Sequence, residues 1–396
     1  MFSIVQRVYL DHAATTQMLP QVRQAWLEVS ENVGNASSLH TSGRAARRVV
    51  ESARESIAQD LGIRPSDVIF TGGGTEADNL AIKGLYWSRC SQLGKSPLAI
   101  ATSAIEHHAV LDPVQWLGSH EHASVILVNA DSSGRVSVAD VEKTLSEHEV
   151  ALVSIMWANN EIGAIQPVHE IANVCKHFGV PFHTDAVQAL GQVPLHLPEL
   201  DAAAVTLSSH KIGGPVGVGA LIVDSAAKLT PILHGGGQER EVRSGTLDPA
   251  SISAFAAAVR FSISELDQHA IRLRELQQYL VEAVIQAVPD AILNGPPPGG
   301  LRLPNNTHFS FPGCEGDSLL MLLDAAGIDC STGSACTAGI PEPSHVLLSM
   351  GVDEKTARAS LRFSLGRDSS REGIDQLARA LPVVVERAQR AGSVSV

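Results

Sequence analysis

Ser208-Ser209-His210-Lys211-Ile212-Gly213-Gly214-Pro215 follows a short apolar run, Ala202 to Leu207, and closes in a turn-forming Gly-Gly-Pro. The run reads as a buried strand, which puts the lysine at a strand's carboxyl end. A lysine in that position, beside two hydroxyls and an imidazole, has two readings. As a surface group it is a solvated charge, the usual fate of lysine. Desolvated, its amine loses its proton readily and becomes a nucleophile able to form a Schiff base.

Working outward, strands are expected near 98–102, 124–128, 151–156, 181–184 and 203–207, alternating with helical patterns near 107–117, 138–147 and 168–178. Such alternation implies a mostly parallel α/β sheet with helices on both faces, and ligands then sit outside the carboxyl ends of the strands. Upstream lie helical patterns at Pro20 to Val29 and Ser42 to Leu61, a strand at Asp67 to Phe70, and a helix at Ala77 to Cys90. Gly217 to Val223 reads as an antiparallel addition to the sheet. One long helical region from Pro249 to Val288 is expected to carry the chain into a smaller α+β part. That part holds strands at Thr307 to Phe311 and Ser360 to Ser364 and helices at Ser318 to Ala326 and Glu372 to Gln389, with frayed residues from Gly392 onward.

Composition narrows the function class. The 396 residues are 44% apolar and 18% charged, ordinary for a folded protein, and the net charge of −13 argues against a general nucleic-acid or membrane surface. No apolar run reaches bilayer length and the first residues lack a signal-peptide pattern, so the cytoplasm is the expected compartment. The five cysteines, at 90, 175, 314, 330 and 336, form neither a disulfide framework nor a zinc knuckle, and no metal site is expected.

Two further stretches bear on Lys211. Thr71-Gly72-Gly73-Gly74-Thr75 joins a strand to a helix, where backbone N–H groups favour an anion; such turns also serve simply as tight corners. It matches neither the dinucleotide fingerprint nor the P-loop. Asp185, ending the apolar run Val180 to Thr184, reads either as a helix N-cap or as the partner of a protonated pyridine nitrogen. An aspartate for a ring nitrogen, a lysine for an aldehyde and a Gly-Thr turn for a phosphate together match the main demands of pyridoxal 5′-phosphate.

With those residues in view the chain resembles the cysteine desulfurases of the class V aminotransferase superfamily, group I, of the nitrogen-fixation and iron–sulfur-assembly type. The matching stretches run in family order. They are Tyr9-Leu10-Asp11-His12-Ala13-Ala14-Thr15-Thr16, Gly34-Asn35-Ala36-Ser37-Ser38, Thr71 to Asn79, Glu106-His107-His108-Ala109-Val110 and Asn159-Asn160-Glu161-Ile162-Gly163. Asp185-Ala186-Val187-Gln188, Ser208 to Lys211, Gly235 to Arg240, Arg243-Ser244-Gly245-Thr246, Gly333-Ser334-Ala335-Cys336 and Arg362 to Arg367 complete the set.

The resemblance implies a fold-type-I architecture. A large cofactor domain (15–260) would carry a seven-stranded, mostly parallel sheet, and a small α+β domain (1–14 and 261–396) the cysteine loop. It implies that Lys211 tethers the cofactor and moves the substrate Cα proton, that Asp185 pairs with the ring nitrogen and Gln188 with the ring oxygen, and that His107 stacks on the ring. Gly74, Thr75, Ser208 and His210 would hold the phosphate, joined by Thr246 from the neighbouring subunit of a homodimer. Asn35, Asn160 and Arg362 would bind substrate, with Arg367 the alternative clamp for its carboxylate. Cys336, in a loop of small residues suited to a moving arm, would take sulfur from L-cysteine as a persulfide and release alanine. A selenocysteine lyase and a class V aminotransferase are the neighbouring readings. The sulfur acceptor is expected to be an iron–sulfur scaffold or a tRNA-thiolating enzyme; the chain ends soon after Gln389, short of the scaffold-docking extension common among relatives.

Overall fold

The computed structural model describes residues 7–333 and 343–394, so Cys336 lies outside the described residues. In chain order the elements begin with β1 (Val8–Tyr9), α1 (Pro20–Ser30), α2 (Thr41–Leu61), β2 (Val68–Thr71), α3 (Gly74–Leu93) and β3 (Ala99–Ser103). Next come α4 (His108–Glu121), β4 (Ser124–Val128), α5 (Val138–Glu147), β5 (Val150–Ser154), α6 (Val168–Phe178), β6 (Phe182–Asp185), β7 (Ala204–Ser208) and β8 (Gly219–Val223). The remainder is α7 (Pro249–Ser264), α8 (Leu266–Ala287), β9 (Ile292–Leu293), β10 (Asn306–Ser310), α9 (Gly316–Ala325), β11 (Ile328–Asp329), α10 (His345–Ser349), α11 (Glu354–Arg358), β12 (Ser360–Ser364) and α12 (Arg371–Val394).

The main sheet is seven-stranded in the order β2-β8-β7-β6-β5-β3-β4. Strands β4, β3, β5, β6 and β7 pair in parallel, and β8 runs antiparallel to both of its neighbours. Every residue of β2, β3, β5, β6 and β7 is buried, as continuous runs covered on both faces require. Thus β8 is the antiparallel strand the sequence suggested. It is wedged inside the sheet, however, between β2 and β7, because β2 pairs with it rather than with its own sequence neighbours.

The helical region expected to run from Pro249 to Val288 divides at Glu265, whose φ of −101° and ψ of 1° leave the helical range. Periodicity alone cannot detect a single-residue break between two apolar helices. The break matters for packing. Ile252, Phe255 and Val259 of α7 join the core beneath the main sheet, whereas Leu273, Leu276, Leu280 and Val284 of α8 join a separate core. That second core also takes Phe309 of β10, Leu361 and Phe363 of β12, and Leu377, Leu381 and Val385 of α12. Strand β10 pairs antiparallel with β9 and β12, and β1 pairs in parallel with β11. Helix α12 continues to Val394, past the point where fraying was expected. The short β9, β11, α10 and α11 carry too few residues for a periodic signal.

Candidate active site

The loops after β2, β3, β5, β6 and β7 converge at the carboxyl edge of the sheet. After β2 the chain turns through Gly73, whose φ of 142° only glycine adopts readily, and enters α3 with no side chain capping its N-terminus. The first N–H groups of α3 therefore have no partner within the helix and present a partial positive charge. Gly74 leaves little room for a side chain: a Cβ there would lie 3.0 Å from Val187 Cγ2, which would have to give way. A Cβ on Gly219 at the start of β8 would lie 2.9 Å from the Gly73 carbonyl carbon, so β8 closes tightly against this turn. From behind, Glu76 braces it, accepting from the Gly72 N–H at 2.8 Å and from Arg243 Nε at 2.6 Å.

Asp185 ends β6 as a buried carboxylate. One oxygen accepts from the Val187 N–H at 2.8 Å, and burial pushes its pKa up to about 6 despite the nearby Lys211. Lys211, in the turn after β7, donates to the carbonyls of Ala13 and Ala14 at 2.6 and 2.7 Å. Burial, with help from the Arg362 cation, brings its amine down to about 8, while Asp185 and Asp11 pull the other way. His107 is the N-cap of α4: its Nδ1 accepts from the Ala109 N–H at 3.1 Å, so Nε2 carries the proton. Burial and Lys211 push its pKa to about 4, which keeps the ring neutral. His210 is likewise brought to about 4, by burial and then by Lys211.

Gly74, Thr75, His107, Asn160, Asp185, Gln188, Ser208, His210 and Lys211 all line one cavity of about 250 Å³. This gathers nine of the site residues expected from sequence. Arg362 stands just behind it, donating Nη1 to the Asn160 carbonyl at 2.9 Å and Nη2 to Asp11 at 2.7 Å; its Nε is buried without a partner. Asn35 and Thr246 do not line the cavity. Asn35 is exposed, its side chain accepting from the Ser37 N–H at 2.9 Å, and Thr246 is exposed on its loop. Gln188 Nε2 donates to the Ala13 carbonyl at 2.9 Å, which ties the N-terminal segment to the cavity wall.

The sequence reading assigned no role to Asp78, Asp11 or Met156. Asp78 and Met156 line the cavity, and Asp11 orients Arg362. Asp78 is fully buried one helical turn into α3, and its pKa rises well above the ordinary carboxyl value through burial first and the Asp185 charge second. It lies 3.5 Å from His183 Nε2, but burial drives His183 to about 3, so the ring is uncharged and this is no ion pair. Both aspartates sat in quoted motifs, yet nothing in a linear sequence says which way a carboxylate faces. A larger cleft of about 730 Å³, lined by Arg64, Lys176 and Asp201 among others, contains none of the expected site residues.

A match to the family model described as aminotransferase class-V extends over residues 8–377. The chain belongs to the class-V aminotransferase family. Among its relatives in this family, an IscS-like cysteine desulfurase of Mycobacterium tuberculosis is 52% identical over 384 residues, covering 97% of each chain. A cysteine desulfurase IscS of Dictyoglomus turgidum is 41% identical over 383 residues, covering 96% of this chain and 95% of the other. Among solved structures, a NifS-like protein from Rickettsia africae superposes with a TM-score of 0.86 at 32% identity, covering 96% of this chain and 100% of that one. Class-V aminotransferases are enzymes dependent on pyridoxal phosphate, and so is this chain. The cavity fits that cofactor. An uncapped helix start with a side-chain-free approach at Gly74 suits a phosphate, a buried carboxylate suits a pyridinium, and an amine lines the same cavity.

Three of the four described cysteines lack the character of nucleophiles. Burial pushes Cys175 and Cys330 up to about 12 and Cys314 up to about 11, and Cys314 belongs to the second core.

Proposed function

We propose that the protein is an L-cysteine desulfurase that passes sulfur through a persulfide on Cys336 and releases L-alanine. The reading is carried by one observation: a neutralisable amine, a buried carboxylate and an uncapped helix N-terminus meet on a single cavity. The relatives named cysteine desulfurases, matched over nearly their whole length, support it.

When bound, pyridoxal phosphate supplies an aldehyde for the lysine and an electron sink that stabilises negative charge at the substrate Cα. The protein's part is to hold, orient and move protons. The backbone N–H groups of Gly74 and Thr75, with the Thr75, Ser208 and His210 side chains, would hold the phosphate, and Thr246 of a second copy would complete the cradle in a homodimer. Asp185, a buried carboxylate, would pair with the pyridine nitrogen and favour its protonated form. Gln188 and Asn160, which line the same cavity, would bind the ring oxygen.

Lys211, with a pKa of about 8, has a substantial neutral fraction near pH 7.5 and can take and return the Cα proton. His107 would stack on the ring, and because Nδ1 is committed to capping α4 its Nε2–H is the proton it can donate. Arg362, set by Asp11 and by the Asn160 carbonyl, would grip the substrate carboxylate. Arg367 instead lies over the Phe261 ring at 4.4 Å, which favours Arg362 as the clamp.

We assign residues 15–260 to a cofactor domain and residues 1–14 and 261–396 to a small domain carrying the Cys336 loop. The sulfur then goes to an acceptor protein, an iron–sulfur scaffold or a tRNA-thiolating enzyme, in the cytoplasm. The test is direct. The purified protein should be yellow, and on adding L-cysteine and a thiol it should form alanine and sulfide in equal amounts. Lys211→Ala should form neither, and Cys336→Ala should retain the chromophore while losing sulfide. A colourless protein that cannot be reconstituted with pyridoxal phosphate refutes the proposal.

A further inference from the structure

The turn from Asn159 to Gly163, between β5 and α6, is held from several sides. The Asn159 side chain accepts from the N–H groups of Glu161 and Ile162, each at 2.9 Å, and donates to the Ile105 carbonyl at 2.9 Å. From distant parts of the chain, Arg362 and Asn306 donate to the Asn160 carbonyl at 2.9 and 3.2 Å. Asn160 lines the cofactor cavity. Glu161, the next residue, is 1% exposed, and Ser344 Oγ donates to its Oε2 at 2.5 Å. Gly333 lies against the same side chain: a Cβ there would stand 3.5 Å from Glu161 Cγ. Cys336 belongs to the span between Gly333 and Ser344. One buried side chain therefore borders both residues from which that span departs.

Burying a carboxylate is costly, and apolar contact would hold this part of the chain with a smaller desolvation penalty. That apolar contact is already present. Val346, Leu347 and Met350 pack with Ile105, Met156 and Ile162 in a small core of their own. Glu161 adds what such packing lacks, a directed bond of fixed length. Burial raises its pKa, while His345, the Ser344 hydroxyl, Arg362 and His108 oppose the rise. The same end of the span is tied a second time, since His345 Nε2 donates at 2.9 Å to the carbonyl of Glu106, the residue before His107. Cys336 is three residues past Gly333, so its Cα stays within about 11 Å of the Gly333 Cα. Fixing both ends of a span limits where its middle can go, which raises the effective concentration of a group it carries. We propose that Glu161 is a positioning residue for sulfur transfer, holding the two ends of the Cys336 span beside Asn160 so that the thiol is delivered to the cofactor cavity. This inference rests on the role proposed above for Cys336.

The experiment compares Glu161→Ala, Glu161→Gln, Ser344→Ala and Cys336→Ala as holoenzymes. Two quantities are read: sulfide formed from L-cysteine per bound cofactor, and the visible spectral change that L-cysteine causes. Glu161→Ala and Ser344→Ala should each lower the maximal sulfide rate about tenfold or more, as loss of a hydrogen bond to a charged group implies. The spectral change, and the L-cysteine concentration at its half-point, should stay as in the wild type. The double variant should lose less than the product of the two single losses, because both substitutions remove one shared contact. Glu161→Gln keeps an oxygen that can accept from Ser344 and should lose less than Glu161→Ala. A full sulfide rate in both alanine variants, even with a lowered thermal midpoint, overturns the proposal, since the contact then serves stability alone. Losses that multiply in the double variant overturn it too, as does a spectral change that disappears in step with sulfide. Sulfide at the wild-type rate from Cys336→Ala refutes the desulfurase reading together with this one. Loss of sulfide in Cys336→Ala, with none in Glu161→Ala or Ser344→Ala, refutes this inference alone.

Discussion

The amine of Lys211 offers the sharpest test of the electrostatics. With a pKa of about 8 instead of the ordinary 10.5, roughly a quarter of it is unprotonated at about pH 7.5, against about one part in a thousand for a solvated lysine. In cofactor-free protein, Lys211 should therefore acylate up to roughly two-hundredfold faster than a solvated lysine at that pH, provided reagent access and intrinsic reactivity are equal. The assay is a brief pulse of a small amine-reactive reagent across a pH series, with the Lys211 peptide quantified by mass spectrometry. Labelling should rise through a midpoint near 8.

The direction of each substitution follows from its charge. Arg362→Gln removes a cation that disfavours the ammonium, so the midpoint moves up; Asp185→Asn removes an anion that favours it, so the midpoint moves down. The same depression makes the unfolded chain bind this proton more tightly, so the Lys211 contribution to stability rises with pH between about 8 and 10.5. A midpoint at or above the ordinary lysine value, or one that moves the same way in both variants, refutes the reasoning.

The loop leading to Thr246 holds three consecutive non-glycine residues with positive φ, Glu239, Arg240 and Glu241, and a buried ion pair pins it. Glu239 accepts from Arg54 at 2.7 and 2.9 Å and from the Phe70 N–H at 2.7 Å, so Glu239→Ala should cost about 3–5 kcal/mol in urea unfolding. A loss below about 1 kcal/mol contradicts that account. Gly219→Ala should weaken pyridoxal phosphate retention and lower the thermal midpoint, by about 1–3 kcal/mol of overpacking, because its Cβ meets backbone at 2.6 and 2.9 Å. Thiol labelling of the native protein near pH 7.5 should leave Cys175, Cys314 and Cys330 unmodified until denaturant is added, read by peptide mass spectrometry.

What the sequence determined was local or periodic. Alternating apolar runs and amphipathic stretches placed the strands and helices of the main sheet. The residues that end those strands then fell together, because parallel strands deliver all their carboxyl ends to one edge. That is why Asp185, Lys211, His107 and the Gly74-Thr75 turn were legible one motif at a time. The tertiary structure decided what depends on direction and on neighbours distant in the chain. It set β8 inside the sheet rather than at its edge, and it divided one apparent helix between two cores at Glu265. It turned Asp11 toward Arg362, 351 residues away, and buried Asp78 near enough to Asp185 for that charge to help raise its pKa. Charge state and partner choice come from desolvation and from three-dimensional proximity, and neither quantity is a property of the linear order of side chains.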